Sequence, residues 1–423
     1  MVSNFQPIPL SHLIDVNPST SKPSIEADAL VSFIPMQDVS ENGQWVSKQV
    51  KKLKEIKSGY TSFQEGDILF AKITPCMENG KGCHAIDLVN GIGFGTTEFH
   101  VLRAKSNTEA RFIFHWTQSK ALRLKAETFM TGSAGQQRVA ADFFHRYLIP
   151  YIPQPEQQKI AEIIDAIDKA IALTDTHITK LKKAKAGLLH DLLTRGIDEH
   201  GELRDYTRNP ELFKRSALGI IPKDWDVSSV SFEFDIISGF TLGEHRRPLN
   251  KKRKYLRVAN VKRENIILDD IAELEANDDE FITRQLKEND LLIVEGHADP
   301  NEIGRCAIVS DGAVGLTFQN HLFRLRYKVI NPKFALFWLN SAWVRSYWKC
   351  LCGTSSGLNT INQTMLNALL VLVPKNQEQI DIVERIETYK ERIIKKETYL
   401  NKLKLLKKGL MSDLLTGRVR VKI

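Results

Sequence analysis

The stretch Leu181-Lys-Lys-Ala-Lys-Ala-Gly-Leu-Leu-His-Asp-Leu-Leu-Thr194 recurs as Leu403-Lys-Leu-Leu-Lys-Lys-Gly-Leu-Met-Ser-Asp-Leu-Leu-Thr416, at an offset of 222 residues. The same offset links Ile160 to Ile382. Solenoid repeats have periods of about 20–50 residues, so this period is too long for a solenoid. The duplication therefore predicts two copies of one unit, each a globular domain followed by a helix.

The duplication extends weakly upstream of the two helical stretches. Gly82 and Gly304 share the offset, and Asp67 matches Asp290 one residue out of step, as short loop insertions would produce. Both upstream regions mix short β-rich runs, turns and some helix, which is typical of α+β domains. The clearest predicted strands are Asp67–Lys72, Asp290–Val294 and Leu322–Tyr327. We predict domains at 1–152 and 219–373, helical regions at 153–197 and 374–423, and a linker at 198–218.

Residues 154–194 and 376–416 carry apolar side chains at alternating spacings of four and three, which predicts a coiled coil. Two seam positions are polar in both copies, namely Thr174 and Lys396, and Lys185 and Lys407. Either these side chains fix register, or the lysines extend along the helix edge into water. The apolar seam residues are also the candidates for partner docking: Ile160, Ile164, Ile167, Ile171, Ile178, Leu181, Leu188, Leu192, Ile382, Ile386, Tyr389, Ile393, Leu400, Leu403, Leu410 and Leu414.

The length of these helices has a geometrical consequence. A helix of about 40 residues is about 60 Å long. Because each helix follows a globular domain, antiparallel pairing would place the domains at opposite ends of a rod, whereas parallel pairing would crowd them together. DNA rises about 3.4 Å per base pair. Domains held apart in this way would read two short sequences with an unread gap between them.

The net charge of +8 fits a polyanionic partner. The densest positive stretch lies between residues 244 and 263, where only Glu244 opposes nine basic side chains. We expect a loop that leads into a strand at Tyr255–Val261 and contacts DNA phosphates, with a solvated face as the alternative. The matching segment near Ser19–Ala27 is not basic, so we expect the domains to grip DNA unequally. The candidates are Arg246, Arg247, Lys251, Lys252, Arg253, Lys254 and Arg257.

Two matching loops offer side chains suited to base edges. They contribute Gln136, Gln137 and Arg138 in the first domain, and Ser355 and Asn359 in the second. Asn and Gln pair with adenine and Arg pairs with guanine, although such residues before a helix also act as caps. A neighbouring pair of loops adds the candidates Lys72, Lys81, His297 and Arg305.

Several short motifs stand in a duplicated order. They are Pro153-Gln-Pro-Glu-Gln-Gln158, Gly187-Leu-Leu-His-Asp-Leu-Leu-Thr194, Leu218-Gly-Ile-Ile-Pro-Lys-Asp-Trp225, and the pair Gly66-Asp-Ile-Leu69 and Asn289-Asp-Leu-Leu292. This order resembles the specificity subunits of type I restriction–modification enzymes over essentially the whole chain. We therefore expect an α+β fold of two α/β-mixed target recognition domains, separated by two long helices in an antiparallel coiled coil with an internal pseudo-two-fold repeat.

The resemblance also implies a function and partners. Each recognition domain would read one half of a bipartite, asymmetric site on double-stranded DNA. The helices would set the spacer and dock two modification subunits, which carry S-adenosylmethionine and methylate adenine. Restriction subunits would join to translocate and cut DNA. The chain itself would be non-catalytic, hold no cofactor or metal, and lie in the cytoplasm, since it shows no secretory pattern and no membrane-length apolar run.

Other chemistries find little support. The chain lacks GxxxxGK[ST], so we expect no ATP hydrolysis, and its five cysteines lack zinc-ligand spacing. Asn331-Pro-Lys-Phe334 resembles part of an adenine methyltransferase loop, but we interpret it as a turn before a helix at Phe334–Asn340. Asp67 and Asp290 are interpreted as turn residues before strands. The alternative function is a coiled-coil scaffold that binds only proteins.

Overall fold

The computed structural model describes residues 5–19, 26–56, 59–133, 135–352 and 359–422. The chain forms two compact units. Unit 1 comprises Met1–Thr176 and Lys396–Ile423, and unit 2 comprises His177–Lys395. Each unit therefore contains one globular part together with a portion of both long helices.

The strands of unit 1 are β1 (Pro7–Pro9), β2 (Ile14–Val16), β3 (Leu30–Ile34), β4 (Gln49–Lys52), β5 (Thr61–Gln64), β6 (Ile68–Ala71), β7 (Gly82–His84), β8 (Ile92–Gly95), β9 (Phe99–Ala104), β10 (Met130–Thr131), β11 (Arg138–Val139) and β12 (Leu148–Pro150). Its helices are α1 (Ala110–Gln118), α2 (Lys120–Glu127), α3 (Phe143–Arg146) and the first part of α4 (Gln154–Thr194).

Two four-stranded sheets, ordered β2-β9-β6-β7 and β4-β3-β8-β5, build the globular part of unit 1. Strand β6 is buried on both faces, as expected for a strand between two packed layers. Its side chains alternate between two cores. Ile68 and Phe70 pack in the core that contains Phe112 of α1, whereas Leu69 packs in a second core with Phe63.

The strands of unit 2 are β13 (Phe213–Ser216), β14 (Gly219–Pro222), β15 (Asp226–Ser229), β16 (Phe234–Ser238), β17 (Lys252–Leu256), β18 (Ala272–Glu275), β19 (Leu291–Val294), β20 (Gly296–His297), β21 (Cys306–Ile308), β22 (Thr317–Phe318), β23 (Leu322–Tyr327), β24 (Asn359–Thr360) and β25 (Leu370–Val373). Its helices are the second part of α4, α5 (Val230–Glu233), α6 (Asp278–Arg284), α7 (Pro332–Leu339), α8 (Ala342–Leu351), α9 (Gln363–Ala368) and the first half of α10 (Asn376–Leu415).

Unit 2 repeats the sheet order of unit 1. Its sheets run β16-β23-β19-β21 and β18-β17-β22, and β17 lies parallel to β22 as β3 lies parallel to β8. At the position that β5 holds in unit 1, unit 2 has the segment after helix α6, in which Leu286 forms backbone hydrogen bonds with Gly315 and Leu316. The predicted internal repeat and α+β fold are confirmed at the level of strand order.

A buried aspartate anchors the same corner of both units. Asp67 accepts two hydrogen bonds from Arg103, both at 2.8 Å, and one from the Gln64 amide at 2.8 Å. Asp290 accepts two from Arg326, at 2.8 and 2.7 Å, and one from the amide three residues earlier at 2.7 Å. The predicted turn role is confirmed, and each aspartate also ties its turn to a neighbouring strand.

Within each unit the two long helices run antiparallel, as predicted. The core of unit 1 contains Ile160 of α4 and Leu414 of α10. The core of unit 2 contains Leu192 of α4 and Ile382 of α10. Early residues of one helix therefore meet late residues of the other.

None of the sixteen predicted apolar seam residues is exposed. The half-buried ones are Ile167, Ile171, Leu188, Tyr389 and Leu410. The buried ones are Ile160, Ile164, Ile178, Leu181, Leu192, Ile382, Ile386, Ile393, Leu400, Leu403 and Leu414.

Local differences from the sequence-based expectation have simple causes. The predicted strand Tyr255–Val261 is instead β17, which begins at Lys252 because its residues pair with β18, and a 3-10 turn follows it. The predicted linker 198–218 contains β13, which forms a hairpin with β14. Asn331 caps α7 by accepting hydrogen bonds from the Lys333 and Phe334 amides, which confirms the predicted turn. Within the described residues, every helix is too short or too polar to traverse a lipid bilayer.

Candidate nucleic-acid interface

In unit 1, two loops identified from the sequence pair with each other. Ile73 forms an antiparallel bridge with Arg138, and the Val139 amide donates to the Lys72 carbonyl at 2.9 Å. We call this segment, residues 72–74 and 136–139, ribbon 1. It brings together the predicted residues Lys72, Gln136, Gln137 and Arg138.

Unit 2 has the equivalent ribbon. Strands β20 and β24 pair antiparallel, so that His297 lies opposite Asn359 and Gly296 opposite Thr360. We call these two strands ribbon 2. The predicted pair His297 and Asn359 is thus brought together, whereas Ser355 lies outside the described residues.

Arg138 is held by a carboxylate. Its guanidinium donates to both oxygens of Glu98, at 3.0 and 2.8 Å, although Arg138 is partly exposed. The hydrogen bonds from Arg138 hold the pKa of Glu98 below its ordinary value. Glu98 and the Gln136 carbonyl already occupy part of the donor set of Arg138, whereas the side chains of Gln136, which is exposed, and Gln137, which is half-buried, make no such ion pair. The two glutamines are therefore the more direct candidates for base contact.

Equivalent positions beside the two ribbons carry different side chains. The Lys72 amide donates to the Glu98 carbonyl in unit 1, and the Glu295 amide donates to the His321 carbonyl in unit 2. These bonds establish that Lys72 corresponds to Glu295 and that Glu98 corresponds to His321. In unit 2 the Glu295 carboxylate contacts His321 Nδ1 at 2.6 Å. The ribbons share a backbone but differ in charge.

The basic stretch 244–263 lies against an acidic segment. Because β17 pairs with β18, acidic residues on both sides of β18 come within reach of the arginines and lysines. The resulting ion pairs are Arg246–Glu280, Lys251–Asp278, Arg253–Asp278 and Arg257–Asp270. Hydrogen bonds from Arg246 lower the pKa of Glu280 to about 2. The structure therefore corrects the expectation of a basic loop opposed only by Glu244.

A smaller set of cations in this stretch remains available. Arg247, Lys252 and Lys254 are exposed, and their side chains have no ion-pair partner among the residues that the structure describes. Lys252 and Lys254 alternate along β17, so they project from the same face of its sheet. These three side chains retain the charge that a phosphate contact needs.

Two predicted residues hold loops together instead. Arg305 is only 5% exposed and donates to the Val258 carbonyl at 2.8 Å. Lys81 donates to the Met36 carbonyl at 3.3 Å. A ligand cannot reach a side chain buried as deeply as Arg305, and the ammonium group of Lys81 is already bound by a loop carbonyl.

The polar seam residues of the long helices have defined partners. Lys407 contacts Asp168 at 2.6 Å in unit 1, and Lys185 contacts Glu264 at 3.3 Å in unit 2. Thr174 donates to the carbonyl of the residue four positions earlier. Lys407 therefore pairs with the other long helix, which favours a role in register, whereas Lys185 pairs with a residue of the globular part.

The sequence analysis missed a matched pair of buried glutamates. Glu156 accepts from Arg420 at 2.9 Å and from a backbone amide in unit 1. Glu378 accepts from Arg204 at 2.6 Å and from a backbone amide in unit 2. Each lies in the first turn of a long helix and binds the segment after the end of the other helix. The Glu-Gln dipeptide that recurs at the offset of 222 was the available signal.

Comparisons with known proteins agree with the resemblance drawn from the sequence. Residues 3–183 match the family described as type I restriction modification DNA specificity domain. The chain is 40% identical over 170 residues to the type I restriction enzyme EcoEI specificity subunit of Escherichia coli. The aligned residues cover 40% of this chain and 28% of that protein. It therefore spans under a third of that relative's length.

A second relative aligns over a longer part of the chain. The type I restriction enzyme MjaVIII specificity subunit of Methanocaldococcus jannaschii is 27% identical over 318 residues, which cover 74% of this chain and 70% of that protein. A chain from a solved type I R-M system matches 99% of this chain with a TM-score of 0.62 at 15% identity, with all of that chain covered. At that identity the likeness shows the fold.

Proposed function

We propose that this chain, whose residues 3–183 match the family described as type I restriction modification DNA specificity domain, is a DNA-specificity subunit that reads a bipartite site. Each globular part reads one half of an asymmetric target on double-stranded DNA. The candidates for base contact are Gln136, Gln137 and Arg138 of ribbon 1, and His297 and Asn359 of ribbon 2. Phosphate contacts come from Lys72, Arg247, Lys252 and Lys254.

One observation carries this proposal: the two units share their buried anchors and differ on their ribbons. Asp67 and Asp290 make the same bonds, whereas Lys72 and Glu295 bear opposite charges at equivalent positions. A duplicated scaffold with unlike surfaces suits a protein that reads two different half-sites. A scaffold for two identical partners would need like surfaces.

The long helices provide the second part of the proposed function. Their seam holds the two helices in register, and their outer faces dock two modification subunits, which supply S-adenosylmethionine and adenine methylation. Restriction subunits join the same assembly in the cytoplasm. The chain contributes specificity and geometry, and the chemistry belongs to its partners.

Mapping of methylated adenine across the host genome tests the proposal. Deletion of this chain should remove one bipartite methylated motif, and its return on a plasmid should restore that motif. Loss of no motif, or loss of a motif without an internal gap, would contradict the bipartite reading.

The neutralised arginines beside β18 favour a second candidate, a scaffold that binds only proteins. Salt dependence separates the two functions, because phosphate contacts release counterions when they form. Affinity of the assembled complex for random duplexes should fall steeply as salt rises. Absence of salt-dependent binding would favour the scaffold.

A further inference from the structure

Unit 2 contains a basic cavity that lies outside the residues assigned above. It has a volume of about 340 Å³ and lies between helix α8, the 3-10 turn Pro300–Glu302 and Arg263. Its polar lining consists of Arg263, Asn301, Glu302, Arg345, Ser346 and Lys349.

Positive charge dominates this cavity. Arg345 and Lys349 lie four residues apart on α8, are exposed, and have no ion-pair partner within the described ranges. Arg263 donates to the Asn301 carbonyl at 2.8 Å, which fixes its guanidinium at the cavity wall. The one acidic lining residue, Glu302, is already shared, at 3.3 Å from Arg305 and 4.0 Å from Arg263.

The equivalent cavity of unit 1 has a different charge. It has a volume of about 310 Å³ and is lined in part by Glu41, Glu78 and Glu127. At the offset of 222, Glu41 corresponds to Arg263 and Glu127 to Lys349. The duplicated fold therefore keeps the cavity in both units, and the basic lining belongs to unit 2.

The arginine that corresponds to Arg345 is also placed differently. Arg123 is 5% exposed and donates to the carbonyls of Thr117 and Met77 at 2.6 and 3.0 Å. Burial lowers the pKa of Arg123 to about 9. In unit 1 this guanidinium binds loop carbonyls, whereas in unit 2 Arg345 remains available to a ligand.

We propose that Arg263, Arg345 and Lys349 form a phosphoryl-binding site, and that a backbone phosphate of DNA occupies it when unit 2 reads its half-site. Guanidinium groups match phosphate oxygens in bidentate geometry, and Ser346 adds a hydroxyl donor. The turn Pro300–Glu302 packs against both α8 and β20, so the cavity borders ribbon 2. The inference rests on the proposed function, and it gives unit 2 a grip on DNA that the acidic cavity of unit 1 does not supply.

The test uses the full chain assembled with its modification subunits. The variant Arg345→Gln with Lys349→Gln removes two charges from exposed positions and keeps side chains of useful length. The control Arg208→Gln with Lys375→Gln removes two charges from side chains of unit 2 that are 84% and 75% exposed. In the test variant, the slope of log affinity against log salt should fall by about one, since the variant loses the contact to one phosphate.

Other features of the result distinguish the sources of the phosphoryl group. The loss should be equal on target and random duplexes, because phosphate contacts carry no sequence information. Calorimetric titration with inorganic phosphate forms the second arm. An unchanged DNA slope, with phosphate binding that the variant abolishes, would assign the site to a free phosphoryl ligand.

If the variant keeps the wild-type unfolding midpoint, the wild-type salt slope of DNA binding and the wild-type phosphate binding, the proposed phosphoryl-binding site is wrong. Failure of the proposed function has a different signature. In that case the wild-type complex itself would bind duplexes without salt dependence or sequence preference.

Discussion

At the scale of single residues, buried carboxylates connect segments that are distant in sequence. Asp67 is 1% exposed and accepts from Arg103, and Asp290 is 1% exposed and accepts from Arg326. Removal of one partner from such a pair leaves a charge without compensation in a poorly hydrated place. These aspartates therefore matter more to stability than exposed carboxylates of the same domain.

Asp67→Asn should destabilise unit 1 by about 2–3 kcal/mol, because Arg103 loses its partner while partly shielded from water. The measurement is the midpoint of thermal unfolding of the full chain. Asp28→Asn is the control, since Asp28 is 62% exposed and its pairs with lysine are of the weak surface kind. Equal shifts of the unfolding midpoint in the two variants would show that the buried pair stabilises the protein no more than an exposed pair does.

Glu280 provides a prediction about pH. Its pKa is lowered from 4.5 to about 2 by Arg246, so the folded state gains stability above pH 4.5 and loses it as the pH falls towards 2. Glu280→Gln should therefore lower the unfolding midpoint at neutral pH by an amount that stays constant down to about pH 5 and then shrinks. A difference that grows on acidification would contradict the assigned ion pair.

At the scale of elements, local patterns were predictable and pairings between distant segments were not. The sequence placed α4 at 154–194 and β23 at Leu322–Tyr327, and both bounds agree with the structure. Heptad spacing and apolar alternation are local properties, which explains this agreement. The neutralisation of Arg246 depends on Glu280, which is brought close by the pairing of β17 with β18.

The candidate site shows the same division. Repeat position identified Lys72 and side-chain chemistry identified Arg138 as candidates, and the structure pairs their loops. The sequence did not predict that Arg305 is buried, because burial depends on how loops fold over the sheet. The sequence shows the acidic run at 269–280, but it does not show that β18 within this run pairs with β17.

Lys251 lies just before β17 and forms an ion pair, whereas Lys252 is the first residue of β17 and forms none among the described residues. Lys252→Ala should lower the salt slope of DNA binding by about one and weaken affinity on all duplexes alike. Lys251→Ala is the matched control, since Lys251 already contacts Asp278 at 2.7 Å, and its slope should change less. Binding isotherms at several salt concentrations provide the measurement, and equal slopes for the two variants would contradict the assignment.

The helices yield a prediction about spacing. A heptad inserted at matched points of α4 and α10 lengthens each helix by about 10.5 Å, which corresponds to about three base pairs. The gap in the methylated motif should grow accordingly while both half-sites remain unchanged. An unchanged gap in an active complex would show that the helices do not set the spacing.

At the scale of the whole molecule, one duplicated unit explains most of the observations. Strand order, the buried aspartates and the buried glutamates recur, whereas the ribbons and the adjacent cavities differ in charge. Shared interiors with unlike surfaces indicate that each unit has been free to acquire its own ligand preference. The central claim is that each unit reads its half of the DNA site independently.

Replacement of residues 219–373 by the corresponding segment of a known type I specificity subunit tests whether the two units act independently. Methylated adenines are then mapped in cells that carry the hybrid and its modification subunits. We predict that one half of the bipartite motif changes while the other half and the gap persist. A change in both halves of the motif would contradict it.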